Sequence, residues 1–146
     1  GARARAREVF EPHHDAIACA LDRRAAEGQA SVLVAVHSFT PVYDGDARPW
    51  QLGVLYNRDG RFAGTLLDLL AGEGALCIGD NEPDAIDDES DYTIPVHGER
   101  RGLVHIEFEI RQDLVATARG QSGWAARLAD MLARGLERLN ATDRAD

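Results

Sequence analysis

The chain is 146 residues long, 45% apolar and 28% charged, a composition that can bury a sizeable core and excludes a wholly disordered protein. Its formal net charge of -9 excludes a general attraction to nucleic-acid backbones or anionic membrane surfaces, and no apolar run approaches the ~20 residues that span a bilayer. Lysine is absent, so every basic residue is an arginine and a single arginine carries little information. Cys19 and Cys77 form no CxxC pair and are expected to be buried thiols in a reducing, cytoplasmic setting.

Residues 2–27 read as a helix: Val9, His13, Ile17 and Leu21 recur at i+4, Pro12 starts or kinks it, and Gly28 ends it. The N-terminus has no apolar core of a secretory signal and enters this helix without an initiating Met, so upstream sequence is expected. Residues 31–36 (SVLVAV) predict a strand buried on both faces, ending abruptly at His37 and Ser38. A loop follows (YDGDARPW), then a strand over 52–56, a turn from Asn57 to Gly60, and a helix over 61–71 with Phe62, Leu66, Leu69 and Leu70 inward. A short strand is expected at 75–78. From Asp80 to Asp91 seven of twelve residues are acidic with no core pattern, which reads as a solvated loop; the spacing is not that of an EF-hand. Residues 103–110 (LVHIEFEI) predict a strand, and Ser122 opens a last helix whose stripe of Trp124, Leu128, Met131, Leu132, Leu136 and Leu139 is core. Helices and strands alternate, which is an α/β pattern.

Two places could carry chemistry. His37 stands at the carboxyl end of a strand, where open α/β sheets bind ligands, although a lone histidine is more often structural. Along 104–111, Val104, Ile106, Phe108 and Ile110 alternate with His105, Glu107, Glu109 and Arg111, so the four polar groups share one face. That face is either the solvated side of an edge strand with a Glu109–Arg111 ion pair, or the floor of a polar cleft in which burial raises a carboxylate pKa and makes a general base.

The segments VAVHSFTPVYDGDARPWQLGVLYNRD, GDNEP at 79–83, DYT at 91–93 and HIEFEIRQDL at 105–114 resemble the N-formylglutamate amidohydrolase family, over about Val9 to Leu139. The resemblance implies a three-layer α/β/α fold with a mixed sheet, like that of zinc carboxypeptidases, with a Zn2+ ion and a glutamate base. It implies that residues 1–146 are one domain, the C-terminal portion of the catalytic domain, incomplete at its N-terminus. It makes His37 a metal ligand and Glu109 the catalytic base, with Glu107 in reserve on the same face. Arg48, Asn81, Tyr92 and Arg111 become candidates for binding the substrate. His13, His14, His97 and His105 are expected to be structural or at the surface. The family's first metal ligands, a His and an acidic residue, are not found here and are expected upstream of residue 1. The implied reaction is hydrolysis of an N-formyl or other N-acyl amino acid such as N-formylglutamate, with formate and glutamate as products at the end of histidine degradation. The implied partner is that small molecule, with no nucleic acid and no membrane; self-association stays open. The alternatives are a non-catalytic small-molecule-binding remnant of the same fold, an inactive fragment, or one half of an assembly.

Overall fold

The computed structural model describes residues 2–72, 74, 76–142 and 144, without the side chains of Ala2 and Arg3. Its helical N-terminal segment comprises α1 (Ala2–Arg5), a π-helical stretch (Ala6–Phe10) and α2 (Glu11–Ala26). Pro12 lies in the first turn of α2, which directly follows the π-helical stretch, in a segment whose backbone stays helical through Phe10 and Glu11, so it does not begin the helix. None of the residues of α2 is buried. The i+4 pattern at Val9, His13, Ile17 and Leu21 therefore marks a face that this chain leaves mostly uncovered.

β1 runs over Val32–Phe39, two-residue strands β2 (Val42–Tyr43) and β3 (Asp46–Ala47) form a hairpin, and β4 spans Leu52–Leu55. Asp44 and Gly45 make the hairpin turn with positive φ of 51° and 90°, as an Asp-Gly turn requires. α3 covers Arg61–Ala71 and β5 Ile78–Asp80. A π-helical turn (Thr93–Gly98) and a 3-10 turn (Glu99–Arg101) lead into β6 (Val104–Arg111), and a 3-10 turn (Gln112–Val115) leads into α4 (Ala118–Thr142).

The four main strands form one mixed sheet in the order β1-β6-β4-β5. β1 is parallel to β6, β4 is antiparallel to β6, and β5 is parallel to β4. α3 and α4 pack on one face. Leu52, Val54, Ile106, Phe108 and Ile110 meet Phe62, Leu66, Leu70, Leu128, Met131 and Leu139 there, which makes the main core. The helices approach closely at Gly135, where a Cβ would come within 2.6 Å of Leu66. On the other face a smaller cluster joins Ala35 and Leu55 to Ile86 and Ile94. The α/β class and the mixed sheet follow.

Several sequence expectations are corrected. β1 is an edge strand with Val32 and Val36 exposed, not a strand buried on both faces. It also continues through His37 and Ser38 to Phe39, because its pairing with β6 persists as far as Arg111. The strand expected at 75–78 is Ile78–Asp80; Ala75 lies outside the described residues. α4 begins at Ala118, four residues before Ser122, and Thr117 Oγ1 accepts from the Gly120 amide at 3.1 Å. Both cysteines are exposed. The acidic loop is held by its own carboxylates: Asp87 Oδ1 accepts from the amides of Glu89 and Ser90, each at 2.7 Å.

Candidate active site

The side-chain alternation of β6 divides its residues between two environments. Ile106, Phe108 and Ile110 point into the helical core, which leaves His105, Glu107 and Glu109 on the opposite face. Since β6 lies between β1 and β4, this polar row is in the middle of the sheet and not at a solvated edge. Arg111 pairs with Asp113 at 2.8 Å, so a Glu109–Arg111 pair does not explain the row.

Parallel pairing sets His37 opposite Glu109 and Ala35 opposite Glu107. His37 and the two glutamates thus share a face, and their side chains converge. His37 Nδ1 lies 3.2 Å from Glu107 Oε1 and 3.8 Å from Glu109 Oε1. The three side chains are graded in depth: 51% exposed for His37, 16% for Glu109 and 4% for Glu107. One oxygen of Glu109, Oε2, is buried without a hydrogen-bond partner, an arrangement that costs free energy unless something else occupies it.

On its other side Glu109 faces Gly53. A Cβ at Gly53 would lie 2.1 Å from the Glu82 carbonyl oxygen and 3.2 Å from Glu109 Cβ, so only glycine lets the 81–83 turn close over the sheet here. Gly79 sits beneath the same turn, where a Cβ would come within 2.8 Å of the Glu82 carbonyl oxygen.

Burial pushes the Glu107 carboxyl up to about 7, with His37 opposing the shift and Asp91 and Glu109 adding to it. Burial likewise raises Glu109; His37 and Arg48 pull it down, and Asp84 and Asp91 push it up. The sequence reading placed Asp84 and Asp91 in a solvated loop and missed their bearing on the cleft. Their spacing along the chain gave no sign of it, because the folding back of residues 80–91 brings them near.

A histidine nitrogen and carboxylate oxygens are donors that a zinc ion accepts. One ligand atom from each of His37, Glu107 and Glu109 can be chosen so that all lie within 4.8 Å of one another. With the unpartnered Glu109 oxygen, this fits a divalent cation. It is the one such group among the described residues.

The other candidates are distributed around this centre. Arg48 contacts Asp84 at 3.2 Å, and its guanidinium lies 4.7 Å from the centre of the Tyr43 ring. Its charge reaches Glu109. Arg111 is committed elsewhere: Nη1 donates to the carbonyls of Arg48, Pro49 and Trp50 at 3.4–3.5 Å, and Nε and Nη2 donate to Asp113. Asn81 has a φ of 54°, and its Oδ1 accepts from the Tyr56 amide at 2.9 Å, so it shapes the turn over Gly53. Tyr92 belongs to a separate aromatic group with Phe10, His14 and His97. There His14 Nδ1 and His97 Nε2 are 3.0 Å apart, and burial lowers the pKa of both rings. His105 is buried against Gly98 and bonds the Leu103 carbonyl at 2.8 Å. His13 is exposed beside His14.

No curated protein matches the chain significantly. Among solved structures, the gene product Atu2144 from Agrobacterium tumefaciens is 32% identical and superposes with a TM-score of 0.88. The match covers 94% of this chain and 54% of that one, so this chain spans about half the length of its structural relative. The family model for N-formylglutamate amidohydrolase matches residues 1–116. With His37 and the two glutamates gathered on one sheet face, and the family pattern running through all the strands that carry them, this chain belongs to the N-formylglutamate amidohydrolase family.

Proposed function

We propose that this chain carries part of the active site of a zinc-dependent amidohydrolase, which hydrolyses the amide of an N-formyl or other N-acyl amino acid such as N-formylglutamate and releases formate and the amino acid. The observation that carries the reading is the convergence of His37 Nδ1 with one buried and one half-buried carboxylate at the carboxyl end of β1. In this reading His37 holds the metal. The remaining ligands come from the part of the relative's length that this chain does not span. The sheet is then one portion of a zinc-carboxypeptidase-like α/β/α domain, working in the cytoplasm.

Bound zinc would supply a polarised carbonyl and a water acidic enough to ionise near neutral pH. Glu109 would accept a proton from the attacking water and return it to the leaving nitrogen. Its environment suits the task, because burial has raised its pKa toward the working range and one oxygen is without a partner. Glu107 lies deeper and closer to His37, a worse place from which to reach an incoming water. Arg48 holds the substrate carboxylate, exchanging its exposed partner Asp84 for it. Asn81 supports the turn that roofs the site, Arg111 fixes the backbone of 48–50 from which Arg48 projects, and Tyr92, whose ring packs with Phe10, His14 and His97, is the remaining candidate for substrate contact.

The test is zinc content together with formate release from N-formylglutamate, on this chain and on the protein of the complete reading frame. Zinc should be bound by the wild type and lost in His37→Ala. Glu109→Gln should keep the zinc and lose turnover by about 100-fold or more. Absence of both zinc and formate release in either protein would sink the hydrolase reading and leave a binding domain on the same fold.

A further inference from the structure

We infer that α2 is a latched helix: the hydrogen bond between His14 and His97 holds it against the Thr93–Gly98 turn, and protonation of that histidine pair releases it. The latch lies outside the group of His37, Glu107 and Glu109 and does not depend on the amidohydrolase reading.

α2 has little packing to hold it. None of its residues is buried. Its C-terminal half stands off the body across a cavity of about 250 Å³ lined in part by Leu21, Ala25, Arg101 and Leu103. Near that end Arg24 donates to Ser31 Oγ at 2.8 Å and to the Ala30 carbonyl at 2.9 Å, and Arg101 pairs with Asp22. Exposed polar contacts of this kind stabilise little. Gly28, at a φ of 68°, is the bend between the helix and β1. Nearer the N-terminal end the attachment is of another kind. The His14 ring lies 4.3 Å from the rings of Phe10 and Tyr92 and 5.2 Å from that of His97, and its Nδ1 is 3.0 Å from His97 Nε2. His97 is 3% exposed, and its Nδ1 is buried without a partner. Among the described residues, His14 is therefore the one hydrogen-bond partner of the buried ring.

One nitrogen of the pair must donate and the other accept, so the bond lasts only while one of the two lacks a proton. A second proton removes the acceptor and sets two cations against each other at that spacing. The first proton is opposed as well, because burial holds both rings below the usual histidine value. For His14, His13 adds to this and Asp15 opposes it. For His97, His14, Arg101 and His13 add to it and Asp22 opposes it. On the strands packed behind the turn, His105 of β6 lies against Gly98 with its Nδ1 bonded to the Leu103 carbonyl, and His37 of β1 turns to Glu107 and Glu109. Once released, both histidines titrate at about 6.5. Below that value the released form holds two protons and the latched form at most one, so acid favours release and the latch is complete above about pH 7. A one-proton difference moves the ratio of latched to released about 30-fold between pH 6.5 and pH 5. Release also uncovers the Tyr92 ring, which lies against His14.

Cys19 on α2 and Cys77 just before β5 are both exposed, so spin labels on the two native thiols report the spacing of helix and sheet by dipolar spectroscopy. Between pH 8 and pH 5 the distance seen at pH 8 should lose about half of its population or more to a broad distribution. His14→Gln keeps a neutral hydrogen-bonding side chain at this half-buried position and should hold the pH 8 distance at both values. His14→Ala should show the broad distribution at both. Amide exchange on the same samples should leave α3 and α4 protected throughout. An unchanged wild-type distance, an equal change in His14→Gln, a wild-type distance in His14→Ala at pH 8, or loss of protection in α3 and α4 along with release would each overturn the inference. Neither zinc nor a substrate enters the test, so its outcome is separate from that of formate release.

Discussion

At the scale of single residues, Glu107 and Gly53 define the site by what each gives up. Glu107 gives up solvation, and a carboxyl whose pKa is raised from 4.5 to about 7 binds protons more readily in the folded chain than in the unfolded one. Between those values the native state holds the extra proton, so this group's contribution is fully present below about pH 4.5 and lost as pH rises through about 7. In metal-free protein, Glu107→Gln should therefore be more stable than wild type at pH 8, by an amount on the order of 1–3 kcal/mol, and show little gain at pH 4. Urea unfolding at the two pH values measures this; a gain of the same size at both would show that charge is not its source. Gly53 gives up its side chain so that the Glu82 carbonyl can pass over the sheet. Gly53→Ala should cost about 1–3 kcal/mol or more, because the obstructing atom is backbone and has no rotamer to escape into. The same variant should slow turnover by displacing Glu109, and its thermal melt and rate of formate release are the checks.

At the scale of elements, each strand and helix has an identifiable task. α3 and α4 bury one face of the sheet and leave the other to the site. Phe62 is central to that packing, in contact with the main core and with the close helix approach at Gly135. Phe62→Ala should cost about 3–5 kcal/mol, read as a lowered denaturation midpoint with an unchanged slope. Arg111 ends β6 by tying it to the carbonyls of 48–50, the stretch that carries Arg48. Arg111→Ala should speed amide exchange across residues 43–51 and leave α3 and α4 protected. Uniform loss of protection would mean that Arg111 supports the whole fold and not this loop. Strand and helix positions were readable from sequence where periodicity was strong: α3 falls on Arg61–Ala71, as the spacing of Phe62, Leu66 and Leu70 predicts. Thr93–Arg101 was not readable, because π and 3-10 turns have no apolar period that distinguishes them from a loop.

At the scale of the whole molecule, the sheet is asymmetric. β6 and β4 lie inside it, while β1 presents an open edge with Val32 and Val36 exposed. An apolar groove of about 600 Å³, lined in part by Val36, Ile110, Trp124 and Leu132, runs beside that edge on the α4 side. Open edges pair with other chains, so self-association in solution is proposed to run through β1. Val36→Lys should reduce concentration-dependent association in sedimentation velocity and leave unfolding free energy within about 0.5 kcal/mol of wild type. Unchanged association would place the contact elsewhere.

The sequence by itself determined the α/β class, most element positions, the family, and the polar row on β6, because period and motif are local properties of the chain. It also singled out His37 and left Glu107 and Glu109 as alternatives. Only the tertiary structure decided that β6 is central and β1 an edge, since strand order depends on which elements find each other across the chain. It alone brought both glutamates to one His37 nitrogen, turned Arg111 toward the backbone of 48–50, and folded Asp84 and Asp91 back to the cleft. Those are through-space relations between residues tens of positions apart, and their energies depend on burial, which no spacing along the sequence encodes.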